Sequence, residues 1–264
     1  MDTYTIHRIN VRFIFFACVT LALLSFVEKV AAVTPDKTVI AAAVADPSRP
    51  EADRERDVSR KPEAMLMFME VQRGLSVFEI EAGDGYMTEI FSRAVGSEGR
   101  VVMQNPQEFL EFVGDAIEAR LVNSRLPNVR TSHSPFDALD AADASMDLVT
   151  WVLGPHELYC RADCGDANVG DPETAYAEIF RILKPDGAFV VIDHMAVEGS
   201  PETTGNDLHR IDPAIVKRMA TQAGFILEAE GAYLVNPGDP LTQSIEDMPR
   251  GHTSQFAIRY RKPK

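Results

Sequence analysis

Cysteine and basic residues are both scarce in this chain. Three cysteines in 264 residues exclude a dense disulfide framework as the source of the fold's stability. The 26 Lys and Arg residues are outnumbered by 40 Asp and Glu residues, which gives a net charge of -14. Nonspecific binding to nucleic acid or to anionic lipid needs a basic face, so we expect neither. Hydrophobic residues, at 45%, suffice for one domain with a sizeable core.

The N-terminal segment has the pattern of a secretory signal peptide over residues 1–32. Arg8 and Arg12 precede residues 13–27, which carry no charged side chain, and small residues follow up to Ala32. The apolar run is shorter than the about 20 residues that a transmembrane helix needs, although an uncleaved anchor is the alternative. Since basic flanks stay in the cytoplasm, both versions predict an exported domain, periplasmic or extracellular. Residues 33–52, which include three prolines, are predicted to form a flexible linker.

From residue 53 onwards, short runs of β-forming residues alternate with amphipathic helical patterns. This alternation predicts a parallel sheet with helices on both faces. The last two strands have no helix between them, so we expect a hairpin-like ending. Ligands of such sheets bind beyond the carboxyl ends of the strands. The predicted strands span residues 75–81, 100–104, 146–153, 188–193, 225–235 and 254–261, with a weaker strand beginning at residue 129.

A loop with two glycines follows the first predicted strand. Gly83 and Gly85 allow a tight turn and a close approach to a ligand, and the next helix presents free N–H groups. The alternative is a plain turn between a strand and a helix. The third glycine of a dinucleotide-binding loop would fall at Thr88, which disfavours a nicotinamide-dependent oxidoreductase. Asn105 follows the second strand, where it either binds a ribose or caps the helix that begins at Pro106.

Three of the six histidines follow predicted strands on the side where ligands bind. His156 comes after the fourth strand, His194 directly follows the fifth, and His209 lies shortly beyond it. Histidine is the side chain best suited to proton transfer near neutral pH, so these three are the predicted catalytic residues. A structural hydrogen bond is the alternative role of each.

Four segments together resemble the class I S-adenosylmethionine-dependent methyltransferases. They are VFEIEAGDGYMTEI, GRVVMQN, SMDLVTWVLGPHEL and AYAEIFRILKPDGAFVVIDH, of which the last is the most specific. The chain is similar in particular to bacterial methyltransferases that carry signal peptides, in which DRxRD..RKP precedes the first strand and LHRID follows the fifth. The resemblance covers residues 50–263.

The resemblance implies a Rossmann-like methyltransferase fold: an α/β domain with a mostly parallel seven-stranded sheet, an antiparallel last strand, and helices on both faces. It also implies S-adenosyl-L-methionine as cofactor, with its methionine part over the glycines and its ribose at Asn105. Two residues depart from the family pattern, since Glu81 replaces its first glycine and Asn105 its acidic ribose ligand. The residues that the resemblance places around the cofactor are Glu79, Glu81, Ala82, Gly83, Asp84, Gly85, Asn105 and Asp137.

The cysteines and arginines near the predicted site each have more than one interpretation. Cys160 lies four residues before Cys164 and four after His156. A local disulfide, two unpaired thiols and a zinc site with His156 all fit this spacing, and we expect no metal site. The three arginines within residues 53–60 either form a solvated helix face or include one that pairs with the cofactor's carboxylate.

Taken together, the sequence predicts an exported methyltransferase, with a single catalytic domain over residues 53–264 and an unidentified small-molecule acceptor. The expected partners include no nucleic acid, and no membrane beyond a possible N-terminal anchor. The alternative is a non-catalytic protein that binds a small molecule and retains the methyltransferase fold. It is motivated by the departures at Glu81 and Asn105, and by the cytoplasmic synthesis of the cofactor.

Overall fold

The computed structural model describes residues 34–160 and 169–264, together with Met1. The rest of the predicted signal peptide lies outside the described residues. Within the described part of the chain, no helix is both long and apolar enough to cross a membrane. The helices are α1 (Lys37–Val44), α2 (Glu51–Arg60), α3 (Pro62–Phe68), α4 (Tyr86–Val95), α5 (Leu110–Leu121), α6 (Pro172–Ile182), α7 (Thr204–Leu208) and α8 (Pro213–Gln222). The strands are β1 (Ser76–Ile80), β2 (Arg100–Gln104), β3 (Val129–Ser132), β4 (Met146–Val152), β5 (Leu183–His194), β6 (Ile226–Gly231) and β7 (Gln255–Arg261).

The strands form one sheet in the order β3-β2-β1-β4-β5-β7-β6. Strands β1 to β5 pair in parallel, and β7 pairs antiparallel with both β5 and β6. The predicted fold, a mostly parallel seven-stranded sheet with an antiparallel last strand, is therefore confirmed. The strand order reverses between β1 and β4, so the carboxyl ends of these two strands flank the crevice in which doubly wound sheets bind ligands.

Local sequence signals account for several of the helix ends. The side chain of Asp212 caps α8 by accepting a hydrogen bond from the backbone N–H of Ala214, and Pro213 occupies the first turn. Helix α4 begins after Gly85 and ends before Gly96, and both glycines have positive φ. These boundaries depend on short-range chemistry that is visible in the sequence.

Both faces of the sheet are buried, as a parallel sheet requires. Neighbouring residues of one strand point to opposite sides, so Phe78 packs in one core and Val77 in the other. The first core contains Trp151 and the aromatic residues of α6 and β5. The second lies under α1, α3 and α4. The helices thus hold β1 and β4, which carry the candidate site, from both sides.

The prediction of a flexible linker over residues 33–52 is wrong for α1. Asp36 caps this helix by accepting hydrogen bonds from the N–H groups of Thr38 and Val39. Ile40, Ala43 and Val44 form an apolar stripe that is buried against α3 and α4. An eight-residue helix is marginal by itself, so its stability comes from this packing. The folded domain therefore begins before residue 53, which moves the predicted domain boundary.

Replacing Ile40 with alanine should lower the free energy of unfolding by about 3 kcal/mol, because its side chain is 1% exposed in the second core. Urea unfolding measures this loss. Val58→Ala is the matched control, since Val58 lies on α2 at 85% exposure and its truncation should change stability by less than about 0.5 kcal/mol. Equal unfolding midpoints for the two variants would mean that residues 37–44 behave as a linker after all.

Candidate active site

A cavity of about 250 Å³ lies at the carboxyl ends of β1 and β4, where the strand order reverses. Five of the predicted cofactor residues line it, whereas Gly85, Asn105 and Asp137 do not. A cavity of similar size lies at the opposite ends of the strands, near Leu75 and Ala188, but parallel sheets bind ligands at their carboxyl edge. The residues around the first cavity are Arg56, Arg60, Glu79, Glu81, Ala82, Gly83, Asp84, Tyr86, Met87, Val152 and Leu153.

The glycine loop turns through three residues with positive φ, at Glu81, Gly83 and Gly85. A Cβ atom added to Gly83 would meet no other atom within 4 Å, so this residue presents bare backbone to open space beside the cavity. A Cβ atom at Gly85 would lie 2.6 Å from Cδ of Arg120, and the φ of +78° there also favours glycine. Gly83 therefore allows a ligand to approach closely, while Gly85 allows the loop to pack.

Asn105 supports this loop from behind. Its Oδ1 accepts a hydrogen bond of 2.8 Å from the N–H of Gly83, and its Nδ2 donates to the carbonyl of Gly83 over 3.2 Å. The side chain is 1% exposed and does not cap the turn that begins at Gln107. Asp137 likewise uses its carboxylate to accept from the backbone N–H of Asp171. Neither residue lines the cavity, and their roles toward the cofactor stay predictions.

Glu79 places a buried carboxyl group at the end of β1. The residue is 3% exposed, and burial raises the pKa of the carboxyl group to about 8, although a hydrogen bond from the Thr88 hydroxyl opposes this shift. Such a group is mostly neutral at pH 7 in its present surroundings. A cationic ligand in the cavity would favour its ionised form.

Two of the three arginines of α2 lie at the cavity. Arg56 pairs with Asp84, while the Arg60 guanidinium lies 4.8 Å from the ring centroid of Tyr86. Among the described residues, no carboxylate forms an ion pair with Arg60. Burial lowers the pKa of Arg60, so an anionic ligand beside it would stabilise its charge. Arg54 instead donates to backbone carbonyls of the preceding loop.

The three predicted catalytic histidines come together in space. The ring centroid of His156 lies 6.1 Å from that of His194 and 5.6 Å from that of His209. His156 belongs to a 3-10 turn, Pro155–Tyr159, that follows β4, whereas His194 ends β5 and His209 caps α7. The convergence that the strand pattern predicts is therefore observed, and the catalytic role of these residues stays a prediction.

Asp193 holds the ring of His156 in place. Its Oδ1 lies 2.8 Å from Nδ1 of His156, and its Oδ2 accepts a bond of 2.9 Å from the backbone N–H of the same residue. Burial opposes a charge on His156, but Asp193 and Glu157 outweigh burial and hold the pKa of His156 well above its ordinary value. For His194, burial dominates and lowers the pKa to about 4. The pKa values of the two rings therefore shift in opposite directions.

Glu157 is a member of this group that the sequence analysis missed. Its Oε1 lies 3.3 Å from Nε2 of His156 and 4.0 Å from Nδ1 of His209. One potential ligand atom from each of His156, Glu157 and His209 lies within 4.8 Å of the other two. These residues could therefore hold a metal ion, although the sequence led us to expect no metal site. The available signal was its position next to His156 in the segment GPHEL.

Glu81 connects the cavity to the histidines. Its Oε2 accepts a hydrogen bond of 2.9 Å from the indole Nε1 of Trp151, a contact that the sequence analysis also missed. Burial and then the neighbouring charge of Glu157 raise the pKa of Glu81 well above its usual range. Gly154 leaves the space for this contact, because a Cβ atom there would collide with both partners. Glu81 therefore forms part of a buried polar network.

Comparisons with known proteins assign this architecture. The model of the ubiE/COQ5 methyltransferase family matches residues 59–221, more than half of the chain. The chain belongs to this methyltransferase family. Its membership supports the predicted methyltransferase class and the predicted cofactor, S-adenosylmethionine.

Relatives within the family include two ubiquinone/menaquinone biosynthesis C-methyltransferases. The one from Marinomonas sp. (strain MWYL1) is 30% identical over 156 residues, which are 58% of this chain and 57% of that protein. The one from Erwinia tasmaniensis is 30% identical over 182 residues, 67% of each protein. A third such relative is from Idiomarina loihiensis. The matched regions cover between 44% and 67% of the lengths of these three proteins.

Solved structures show the same fold. A SAM-dependent methyltransferase from Aquifex aeolicus superposes with a TM-score of 0.57 at 19% identity, covering 86% of this chain and 98% of that one. An arsenic(III) S-adenosylmethionine methyltransferase from Chlamydomonas reinhardtii has a TM-score of 0.53 at 18% identity, covering 88% of this chain and 75% of that one. At these identities the likeness is one of fold.

The cysteine prediction is resolved for one of its two residues. Cys160 is disulfide-bonded, and Cys164 lies outside the described residues. Cys160 therefore has no free thiol, so the interpretations with two unpaired thiols or with zinc bound by Cys160 fail. Disulfides persist mainly in oxidising compartments, so this bond is relevant to the cellular compartment of the protein.

Proposed function

We propose that this chain transfers the methyl group of S-adenosylmethionine to a small-molecule acceptor. The observation that carries the proposal is the glycine loop, which presents bare backbone at Gly83 to a cavity at the reversal of strand order. The match to the ubiE/COQ5 methyltransferase family includes this loop. Family membership does not identify the acceptor, because the substrates named for the relatives belong to proteins that this chain matches only in part.

The residues around the cavity fit the charges of the proposed cofactor. Its sulfonium would lie near the carboxyl groups of Glu79, Glu81 and Asp84, and its positive charge would favour their ionised forms. Its carboxylate would pair with Arg60, which lacks an ion-pair partner among the described residues. A guanidinium and a carboxylate form strong, geometrically specific hydrogen bonds. Gly83 would let the methionine part lie against the backbone.

The proposed reaction depends mainly on the positioning of the two reactants. S-adenosylmethionine supplies a methyl group bound to a positively charged sulfur, and a lone pair of the acceptor displaces the neutral thioether in line. The protein's part is to hold donor and acceptor in that geometry. Where the acceptor must lose a proton, the group of His156, His194 and His209 is the candidate to receive it. The pKa of His194, about 4, makes this residue a poor proton acceptor near neutral pH.

A non-catalytic protein that binds a small molecule is the second candidate. The observation that favours it concerns Asn105, whose side-chain carboxamide forms hydrogen bonds with the backbone of Gly83. A family member with this arrangement lacks an acidic ribose ligand at that position. This candidate predicts cofactor binding without turnover, or no binding at all.

We further propose that the domain works outside the cytoplasm. The charge pattern of residues 1–32 supports export, as does the disulfide at Cys160. The net charge of -14 argues against nucleic acid as a partner, and against a membrane contact beyond an N-terminal anchor.

Calorimetry with S-adenosylmethionine tests the cofactor site. We expect micromolar affinity, about -8 kcal/mol, for the unchanged chain. Arg60→Gln should bind about tenfold more weakly or worse, because a charge-assisted hydrogen bond contributes about 1.5–3 kcal/mol. The control is Arg73→Gln, an exposed arginine at the opposite edge of β1, which should bind like the unchanged chain.

Formation of S-adenosylhomocysteine with a panel of phenols, thiols, amines and carbon acids then separates the two candidates. Turnover with any of them establishes a transferase. Tight binding with no turnover across the panel favours the non-catalytic protein. An absence of binding at millimolar cofactor would reject the cofactor site itself.

A further inference from the structure

The group formed by His156, Glu157 and His209 has the composition of a metal site rather than of a proton relay alone. Imidazole nitrogens and a carboxylate oxygen are the donors that zinc-type ions take in catalytic sites. One such atom from each residue lies within 4.8 Å of the other two. The three side chains are at least four-fifths buried, since their exposures are 3%, 16% and 16%.

Asp193 prepares His156 for this role. An ionised carboxylate only accepts hydrogen bonds, so its contact of 2.8 Å with Nδ1 places the ring proton on that nitrogen. Nε2 lies 3.3 Å from Oε1 of Glu157, the arrangement of a protonated ring paired with a carboxylate, and a bound metal ion would take the place of the proton on Nε2. Histidines that bind a metal ion through one ring nitrogen usually donate a hydrogen bond from the other nitrogen to a carboxylate, as His156 does to Asp193.

The surroundings supply further carboxyl groups and a buried nitrogen. Glu81 lies within electrostatic range of both Glu157 and His156, and Asp193 is completely buried beside His156. His194 is 8% exposed, and its Nδ1 has no hydrogen-bond partner among the described residues. A divalent cation bound among these carboxyl groups would favour their ionised forms.

We propose that His156, Glu157 and His209 bind a divalent transition-metal ion of the zinc type. His156 contributes Nε2, His209 contributes Nδ1, and Glu157 contributes a carboxylate oxygen. Three protein ligands leave a fourth position open, which is the feature that separates catalytic from structural zinc sites. Asp193 is a positioning residue. The proposal stands apart from the transfer of methyl groups, because it concerns metal binding by the domain itself.

The test is a Zn²⁺ titration of the full chain, carrying no polyhistidine tag and freed of metal with a chelator, in competition with a chromophoric indicator. We expect one Zn²⁺ per chain at sub-micromolar affinity. His209→Ala and Glu157→Gln should each lose about 100-fold or more, and Asp193→Asn about 10- to 100-fold. His252→Ala, an exposed histidine outside the group, should bind like the unchanged chain.

Two outcomes would overturn the proposal. One is the absence of stoichiometric Zn²⁺ binding to the unchanged chain, which would leave an ion-paired His156 and Glu157 as the explanation of the cluster. The other is unchanged affinity in both His209→Ala and Glu157→Gln. Circular dichroism of the metal-free variants confirms that they fold. The absorption spectrum of bound Co²⁺ is a second readout, because it depends on which atoms bind the ion. The spectrum should shift in Glu157→Gln if Glu157 is a ligand, and should stay the same if Glu157 has only a structural role.

Discussion

Replacing Gly83 with valine should weaken S-adenosylmethionine binding by about 100-fold, or about 2.8 kcal/mol. Gly83 lines the cavity with a φ of +57°, and the space that its side chain would enter is open. A valine there both occupies the room proposed for the cofactor and strains the backbone, because β-branched residues rarely adopt positive φ. Calorimetry on the purified variant measures the loss.

Gly74→Val is the matched control for this prediction. Gly74 has a φ of +81° and the same open surroundings, but it precedes β1 at the opposite edge of the sheet. Both variants should lose stability through strain of about 1–3 kcal/mol. Only Gly83→Val should lose affinity. If the two variants bound the cofactor equally well, the proposed location of the methionine part would be wrong.

Replacing Glu89 with glutamine should destabilise the domain by about 3–5 kcal/mol, since it removes the charge from a buried ion network. Glu89 is fully buried on α4, and its carboxylate lies 2.6 Å from both Arg93 and Arg125 and 2.8 Å from Arg120. Arg120 also donates to the carbonyl of Asp84, so the network holds the glycine loop. Chemical unfolding measures the change.

Glu202→Gln serves as the control for Glu89→Gln. Its partner is Arg218, and both side chains are 49% exposed, so the loss should stay within about 1 kcal/mol. A loss of similar size for Glu89→Gln would show that water, not the arginines, surrounds its carboxylate.

The pH dependence of stability offers a second readout on Glu89. Burial opposes its ionisation, but the bonds from Arg125 and Arg93 outweigh burial and hold its pKa below the ordinary 4.5. The stability that this group contributes is therefore present above about pH 4.5 and is lost as the pH falls through its lower folded-state pKa. Glu89→Gln should lose less stability than the unchanged chain over that acid range.

Short-range signals explain why the sheet and most helices could be predicted. Helix α4 lies between two glycines that the sequence displays, and α8 begins at an Asp-Pro pair. The three strands over residues 76–80, 100–104 and 146–152 appear as compact runs of β-forming residues. Helix α1 was missed for the opposite reason, since only its packing against α3 and α4 makes so short a segment helical.

By itself, the sequence determined the fold class, the edge of the sheet that carries the site and the glycine loop, because each follows from local pattern and from chain order. Chain order also predicted that the three histidines meet, but only the tertiary structure decided which other side chains contact them and the loop. Glu157 and His209 are far apart in the chain and come together because α7 folds back over the turn after β4. Asn105 and Glu81 likewise form hydrogen bonds with residues of other segments, Gly83 and Trp151 respectively. Such contacts depend on packing and charge across the whole domain, which no local pattern encodes.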